Sequence, residues 1–137
     1  MSQENAELVR RLFDAVRRRD SATVLSIYHP DVEWDGSASR WAEVLPNAKF
    51  QGHDGLRRFT RAYYEMWEDF EDELVEVIDA GEHVVVVVNS RARGRASGID
   101  VELRDNPGVF TLREGRIIRI VWFRTRAEAL AAAGLQD

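Results

Sequence analysis

Asp35 closes the stretch HPDVEWDG, residues 29–36, as a carboxylate at the end of a short alternating run and beside a glycine. Such a group takes up a proton usefully when an apolar pocket surrounds it and a hydrogen-bond donor opposite stabilises the anion that forms. In open water it is only a strand-end charge. His53 is the second candidate, because imidazole is the side chain whose ordinary pKa lies nearest neutrality. It stands beside Asp54 at the end of a long irregular stretch, where it can reach a cavity mouth. His29 precedes Pro30 and reads as a corner residue, and His83 opens a strand after a tight turn. Asp35 and His53 are therefore the catalytic candidates.

The larger signal is aromatic. Trp34, Trp41, Tyr63, Trp67 and Trp122 are candidates for one cavity wall, with Asn89 and Arg124 as polar contacts for a ligand. Ordinary core packing is the competing reading for each of them. Four tryptophans with few competent acids suit a pocket that grips a flat apolar ligand better than it reacts with one. No metal site is expected, since there is no cysteine and no pair of histidines at ligand spacing. The acidic run of Glu68, Asp69, Glu71, Asp72 and Glu73 reads as a solvated junction. No GxxxxGK[ST] phosphate loop occurs, and no cofactor is expected.

These residues need elements to hold them. The 137 residues, 45% hydrophobic and 31% charged, have the balance of one soluble domain. Leu8, Val9, Leu12, Phe13 and Val16 recur at helical spacing, which predicts a helix over 4–19. Asp20 caps a second, shorter helix carrying Val24, Leu25 and Tyr28, and Pro30 stops it. Val32 and Trp34 alternate with acids as a short strand. Residues 36–52, with Gly36, Pro46 and Gly52, read as a long loop. Asp54 reads as the cap of the helix GHDGLRRFTRAYYEMWEDF, whose apolar face runs Leu56, Phe59, Tyr63, Trp67 and Phe70.

From residue 72 the period becomes two. The runs ELVEVI, HVVVVVNSRARGRA, IDVELR, VFTLR and RIIRIVWFRT are separated by AGE, SG, DNPG and EG, the punctuation of an antiparallel meander. Arg91, Arg93 and Arg95 alternate opposite Asp100 and Glu102 and read as a solvated face of cross-strand ion pairs. Thr125-Arg126-Ala127-Glu128 is a capping box, and Gly134-Leu135 is a helix stop.

The order of these elements resembles the nuclear transport factor two-like cone fold, and within it the SnoaL-like domain. The resemblance is carried by MSQENAELVRRLFDAV, HPDVEW, QGHDGLRRF, IDAGEHVVVVV, RGRASGIDVE, TLREGRIIRI and RAEALAAAGL, nearly end to end. It implies an α+β fold over residues 1–137 as a single SnoaL-like domain. N-terminal helices would pack in the concave face of a strongly curved, mostly antiparallel sheet, with a short C-terminal helix added. It also implies a small-molecule-binding domain, and, if an enzyme, a general acid–base isomerase, polyketide cyclase-like or epoxide hydrolase-like protein acting on a hydrophobic cyclic compound.

The chain departs from the family's catalytic patterns. The tyrosine expected on the first helix falls at Leu12, and the acid expected on a later strand falls near Gly108. A histidine and tryptophan expected before TLREG are replaced by Gly108 and Phe110. The acid expected near the end of the last strand is replaced by Arg124 and Thr125. The alternative is a non-catalytic dimeric interaction or scaffold domain with a packed cone.

The partners expected are a hydrophobic small molecule and a second copy of the chain. The net charge of −5 lacks the basic footprint of a nucleic-acid binder. No membrane span or signal segment is read, which points to the cytoplasm. Strands over 83–93 and 116–124 are apolar on both faces, and the helices of this fold would cover only the concave one. Val85 and Val87, with Val121 and Phe123 (or their even-numbered neighbours), would then form a convex homodimer face.

Overall fold

The structure, a computed structural model, describes residues 2–43, 45 and 48–136, with only the backbone of Ser2. Pro46, one marker of the expected loop, lies outside the described residues. Helix α1 (Ser2–Arg17) buries Val9, Leu12 and Ala15 along one stripe. Helix α2 (Ser21–Ile27) starts as its cap requires: Asp20 accepts the Thr23 N–H at 3.1 Å and the Thr23 hydroxyl at 2.7 Å. It ends before Pro30 can act, because Tyr28 is already extended.

Strand β1 (Tyr28–Asp35) therefore begins earlier than the alternation of Val32 and Trp34 predicts. The expected loop is not wholly irregular. A 3-10 turn, Arg40–Glu43, buries Trp41, and β2 (Lys49–Gln51) pairs antiparallel with β1. Helix α3 (Gly52–Met66) has Gln51 rather than Asp54 at its cap position. Asp54 sits inside the first turn, where a carboxylate faces the positive end of the helix dipole, and it pairs with Arg57 at 2.8 Å.

The helix stops at Met66, and Trp67 and Phe70 belong to β3 (Trp67–Ala80). Their i, i+3 spacing imitates a helix, but Asp69 is left-handed (φ 51°) and the pairing register shifts there. β4 (His83–Gly94) and β5 (Asp100–Arg113) follow, then β6 (Arg116–Trp122) and α4 (Arg126–Ala132). DNPG is not a turn. It is a bulge inside β5, with Asp105 left-handed (φ 55°) and its N–H donated to Asn89 Oδ1 at 2.8 Å. Pro107 is back in register opposite Val87.

The six strands form one curled mixed sheet in the order β2-β1-β6-β5-β4-β3, antiparallel except where β1 meets β6. The even positions Val84, Val86 and Val88 face inward with Phe110, Leu112, Ile120 and Trp122, against α1 and α3. The odd positions Val85 and Val109 face outward.

The outer face is not left bare. Helix α4 lies on it, packing Ala129, Leu130 and Ala133 against Val85 and Val109, so the expectation that helices cover only the concave side is corrected. A bidentate pair from Arg126 to Glu76 of β3 (2.9 and 2.8 Å) ties α4 down. The capping box forms as read: Thr125 accepts from Glu128 N–H, and Glu128 Oε1 accepts from Thr125 N–H. The helix closes through Gly134 (φ 78°), with Leu135 N–H donated to Leu130 O at 2.8 Å. The arginine stripe also pairs outward, Arg91 with Glu71 at 2.8 Å and Arg93 with Asp100 at 3.0 Å.

Candidate functional site

Between the curled sheet and the three N-terminal helices lies a cavity of about 450 Å3, within the size range of small-molecule sites. Its floor is aromatic: Trp34 of β1, Trp41 of the 3-10 turn, Phe59 and Tyr63 of α3, Phe110 of β5 and Trp122 of β6. These rings brace one another. Trp34 lies 4.7 Å from Phe59 and 5.7 Å from Trp41, and Trp41 lies 6.1 Å from Trp122, in tilted and edge contacts of the kind aromatic pairs prefer. Apolar side chains of α1 and α2, among them Leu12, Val16 and Val24, close the opposite wall.

Four of the predicted ligand residues, Trp34, Trp41, Tyr63 and Trp122, thus share this cavity. Trp67 stands apart, lining an adjoining cleft of about 20 Å3 with Trp41, Tyr63 and Ser90. Asn89 is engaged in the β5 bulge. Arg124 is exposed and reaches Glu43 at 3.3 Å, tying the end of β6 to the 3-10 turn.

Neither catalytic candidate lines the cavity. Asp35 Oδ1 accepts the Ser37 N–H at 2.9 Å and the Ser37 hydroxyl at 2.6 Å. Partial burial pushes its carboxyl up. The two Ser37 bonds, with Lys49 and Arg119 nearby, outweigh that and leave it below the usual range. A carboxylate held down in this way is a weak base near neutrality. His53 Nε2 lies 2.9 Å from Tyr28 O, and since a carbonyl only accepts, that nitrogen carries the proton. The bond joins the first turn of α3 to the start of β1. His29 Nδ1 accepts the Asp31 N–H at 2.9 Å, the corner role expected of it.

The acid that does line the cavity is Asp72 of β3. It stands directly across the ladder from Ser90 of β4, and both face inward. Asp72 is solvent-exposed as a residue, while protein crowds its carboxyl on the cavity side. Burial pushes that carboxyl up, and Ser90 opposes the shift only in part. Ser90 Oγ lies close to it without regular hydrogen-bond geometry and has no partner among the described residues. Burial, and then the Asp72 charge, push the Tyr63 hydroxyl up as well.

The sequence did hold a signal for Asp72. With the strand begun at Trp67, Phe70, Asp72 and Leu74 alternate onto one face, an acid between two apolar residues. Extending α3 to Phe70 and reading the acids as one solvated run hid it.

The structure also accounts for the missing acid at Gly108. A Cβ there would lie 2.6 Å from Trp122 Cε3 and 2.8 Å from Cζ3, so the indole occupies the place of a side chain. Charged groups other than Asp72 on the cavity wall are Arg19, Arg57 and Arg61. Arg57 pairs with Asp54. The Arg19 guanidinium lies 4.5 Å from the Phe70 ring centre and 5.1 Å from that of Tyr64. Arg61 makes no ion pair among the described residues.

A curled mixed sheet wrapped round its helices is the architecture of the nuclear transport factor two-like proteins. An NTF2-like protein of unknown function from Burkholderia pseudomallei superimposes with a TM-score of 0.77, at 27% identity over 96% of this chain and 97% of that one. The chain belongs to the SnoaL-like domain family, whose model matches residues 9–120. TerC, co-crystallised with polyporic acid, has the same fold (TM-score 0.76, 23% identity, 96% and 98% of the two chains). So does a Mesorhizobium loti protein named as a candidate SnoaL-like polyketide cyclase (TM-score 0.64, 20% identity, 86% and 97%). No curated protein matches the chain significantly. Among the described residues no helix is long and apolar enough to cross a membrane.

Proposed function

We propose that this SnoaL-like domain binds a flat, hydrophobic, cyclic small molecule in the cavity between its sheet and helices. The observation that carries the reading is the void itself: about 450 Å3 walled by Trp34, Trp41, Phe59, Tyr63, Phe110 and Trp122. An aromatic wall of this kind offers ring faces to a flat ligand, with polar groups such as Asp72 and Ser90 at its edge to orient it. A scaffold domain with a packed cone has no use for such a void. That the fold relative TerC was co-crystallised with polyporic acid is in keeping with the reading.

Turnover by acid–base isomerisation, cyclisation or hydrolysis is the reaction class the family suggests. It requires a proton carrier that reaches the ligand. Asp35 and His53, engaged with Ser37 and Tyr28, do not border the cavity, so binding is the primary reading.

The test is thermal unfolding of the purified protein with a dose series of 2-ethylnaphthalene and related bicyclic compounds. Binding raises Tm with dose by mass action, and Trp34→Ala removes the shift. A panel of such compounds that leaves Tm unmoved overturns the reading.

A homodimer through the outer sheet face belongs to the same proposal on narrower ground. With Val85 and Val109 under α4, the contact would rest on Val121, Phe123 and the exposed Val75. Sedimentation at micromolar concentration decides it, a mass of one chain refuting the dimer.

A further inference from the structure

Among the described residues one ionisable acid, Asp72, stands on the cavity wall, and the mechanism suggested by the family does not use that position. We propose that Asp72 is the polar anchor of the cavity, presenting its carboxyl as a hydrogen-bond donor to a carbonyl oxygen of the flat apolar ligand. The proposal rests on the binding reading above and names the ligand class within it: an aromatic or polycyclic ketone or quinone.

Three observations support it. Asp72 borders the void from β3 with Phe70 and Leu74 as its same-face neighbours, so its carboxyl stands in apolar surroundings. No cation among the described residues pairs with it. Arg91, beside Ser90, turns to Glu71 at 2.8 Å, Arg57 is taken by Asp54, Arg19 stacks over Phe70 and Tyr64, and Arg61 forms no ion pair with it. A carboxyl so placed, crowded by apolar side chains and paired with no cation among the described residues, lowers its free energy by keeping its proton.

The groups facing it are donors in surplus. Ser90 on β4, buried and with an unpartnered hydroxyl, stands across the ladder. Tyr63 on α3 keeps its phenolic proton, and the buried Trp41 Nε1–H has no acceptor among the described residues. Helices α1 and α2 present no acid to the cavity. A wall rich in donors and poor in acceptors selects a ligand that brings an acceptor. Three arginines on the same wall disfavour a cationic ligand, which would otherwise suit a carboxylate among aromatic rings.

The experiment is calorimetric titration of the full chain with three probes of one shape: 2-acetylnaphthalene, 2-ethylnaphthalene and N,N-dimethyl-2-naphthylmethylamine. At the acid end of the pH series, where Asp72 keeps its proton, the ketone binds about 5- to 10-fold more tightly than the hydrocarbon, the worth of one net hydrogen bond. The ratio falls toward one as the pH is raised to 9, because a carboxylate donates nothing. Asp72→Leu abolishes the preference at every pH. Asp72→Asn keeps it through the amide N–H and loses its pH dependence. Circular dichroism verifies that each variant is folded, and the wild-type pH series decides the question by itself if Asp72→Leu does not fold.

A ketone preference unchanged in Asp72→Leu, or absent in the wild type while the hydrocarbon binds, overturns the anchor and leaves the binding reading standing. Failure of both neutral probes to bind overturns both. Tightest binding by the amine, strengthening with pH and lost in Asp72→Asn, overturns the donor role in favour of a counter-ion.

Discussion

Replacing Gly108 by alanine adds one methyl group to the centre of β5, and the structure states what it meets. The new carbon would sit 2.6, 2.8 and 3.1 Å from Cε3, Cζ3 and Cδ2 of Trp122. Carbon atoms in good contact stand about 3.5–4.0 Å apart, so roughly 1 Å must be found. The indole can give it only toward the cavity and at the expense of its ring contacts. Trp122 is 5% exposed, and its ring is braced by Phe110 at 5.9 Å, Trp41 at 6.1 Å and Trp34 at 6.4 Å. Overpacking of this kind costs about 1–3 kcal/mol. The stiffer unfolded chain returns about 0.4–1 kcal/mol, since the φ of Gly108 is not in the left-handed region.

The net expectation for Gly108→Ala is a loss of about 1–2 kcal/mol, read as a lower urea midpoint at unchanged slope. For a chain of this size that corresponds to a Tm lower by roughly 3–10 °C. Trp122→Leu clears the space, so the double variant loses less than the sum of the singles. Strict additivity, or a Gly108→Ala chain as stable as the wild type, refutes the reasoning.

Trp34→Ala removes the ring shared by Trp41, Phe50, Phe59 and Trp122, and should cost about 3–5 kcal/mol in urea unfolding. Thr125→Ala breaks the capping box of α4 and should cost about 1 kcal/mol, checked the same way. His53→Ala leaves Tyr28 O without its donor and should cost about 1 kcal/mol, with no more effect on probe binding than that loss of stability explains. Asp72 is raised in the folded chain, so its ionisation costs stability. The loss begins as the pH climbs through the ordinary 3.8 and is complete above the raised value. Asp72→Asn lacks that loss, so its Tm advantage over wild type should grow across that window and then level off, and a pH-independent difference refutes it.

Much of the fold was written in local chemistry. Asp20 caps α2 through Thr23, the capping box of α4 closes as the four residues demand, and Gly81 and Gly115 take the left-handed turns between strands (φ 77° and 76°). What was not legible depends on partners distant in the chain. β2 is three residues with one apolar side chain, Phe50, and exists only because β1 offers an edge at Trp34. The sequence DNPG spells a turn, yet β4 and β6 hold β5 straight on either side, and the misfit is taken up as a bulge around Asp105 and Asn89. The both-faced apolar character of β4 was legible, but not what covers its outer face. Only the fold places α4, forty residues later, over Val85.

The site follows the same division, for a reason that lies in Trp122. Its ring occupies the position where the resemblance leads one to expect an acid, at Gly108 on β5. A carboxyl and that indole cannot share the space, so an acid in this cavity must come from another strand. β4 lies next to β5, and its inward positions Val84 and Val86 are buried in the core, where a charge would have no solvent at all, while Val88 and Ser90 further along border the cavity. β3 is the sheet's edge, one strand further on, where the cavity reaches Phe70 and Asp72. An acid there keeps contact with the void and needs no room beside Trp122. The glycine at 108, the tryptophan at 122 and the aspartate at 72 are in this view one change of layout, the bulky ring on one wall and the acid on the other. It also explains why Asp35 and His53 carried the sequence's chemistry without reaching the cavity: their hydrogen bonds to Ser37 and Tyr28 hold the corners of β1, and the wall they frame is aromatic.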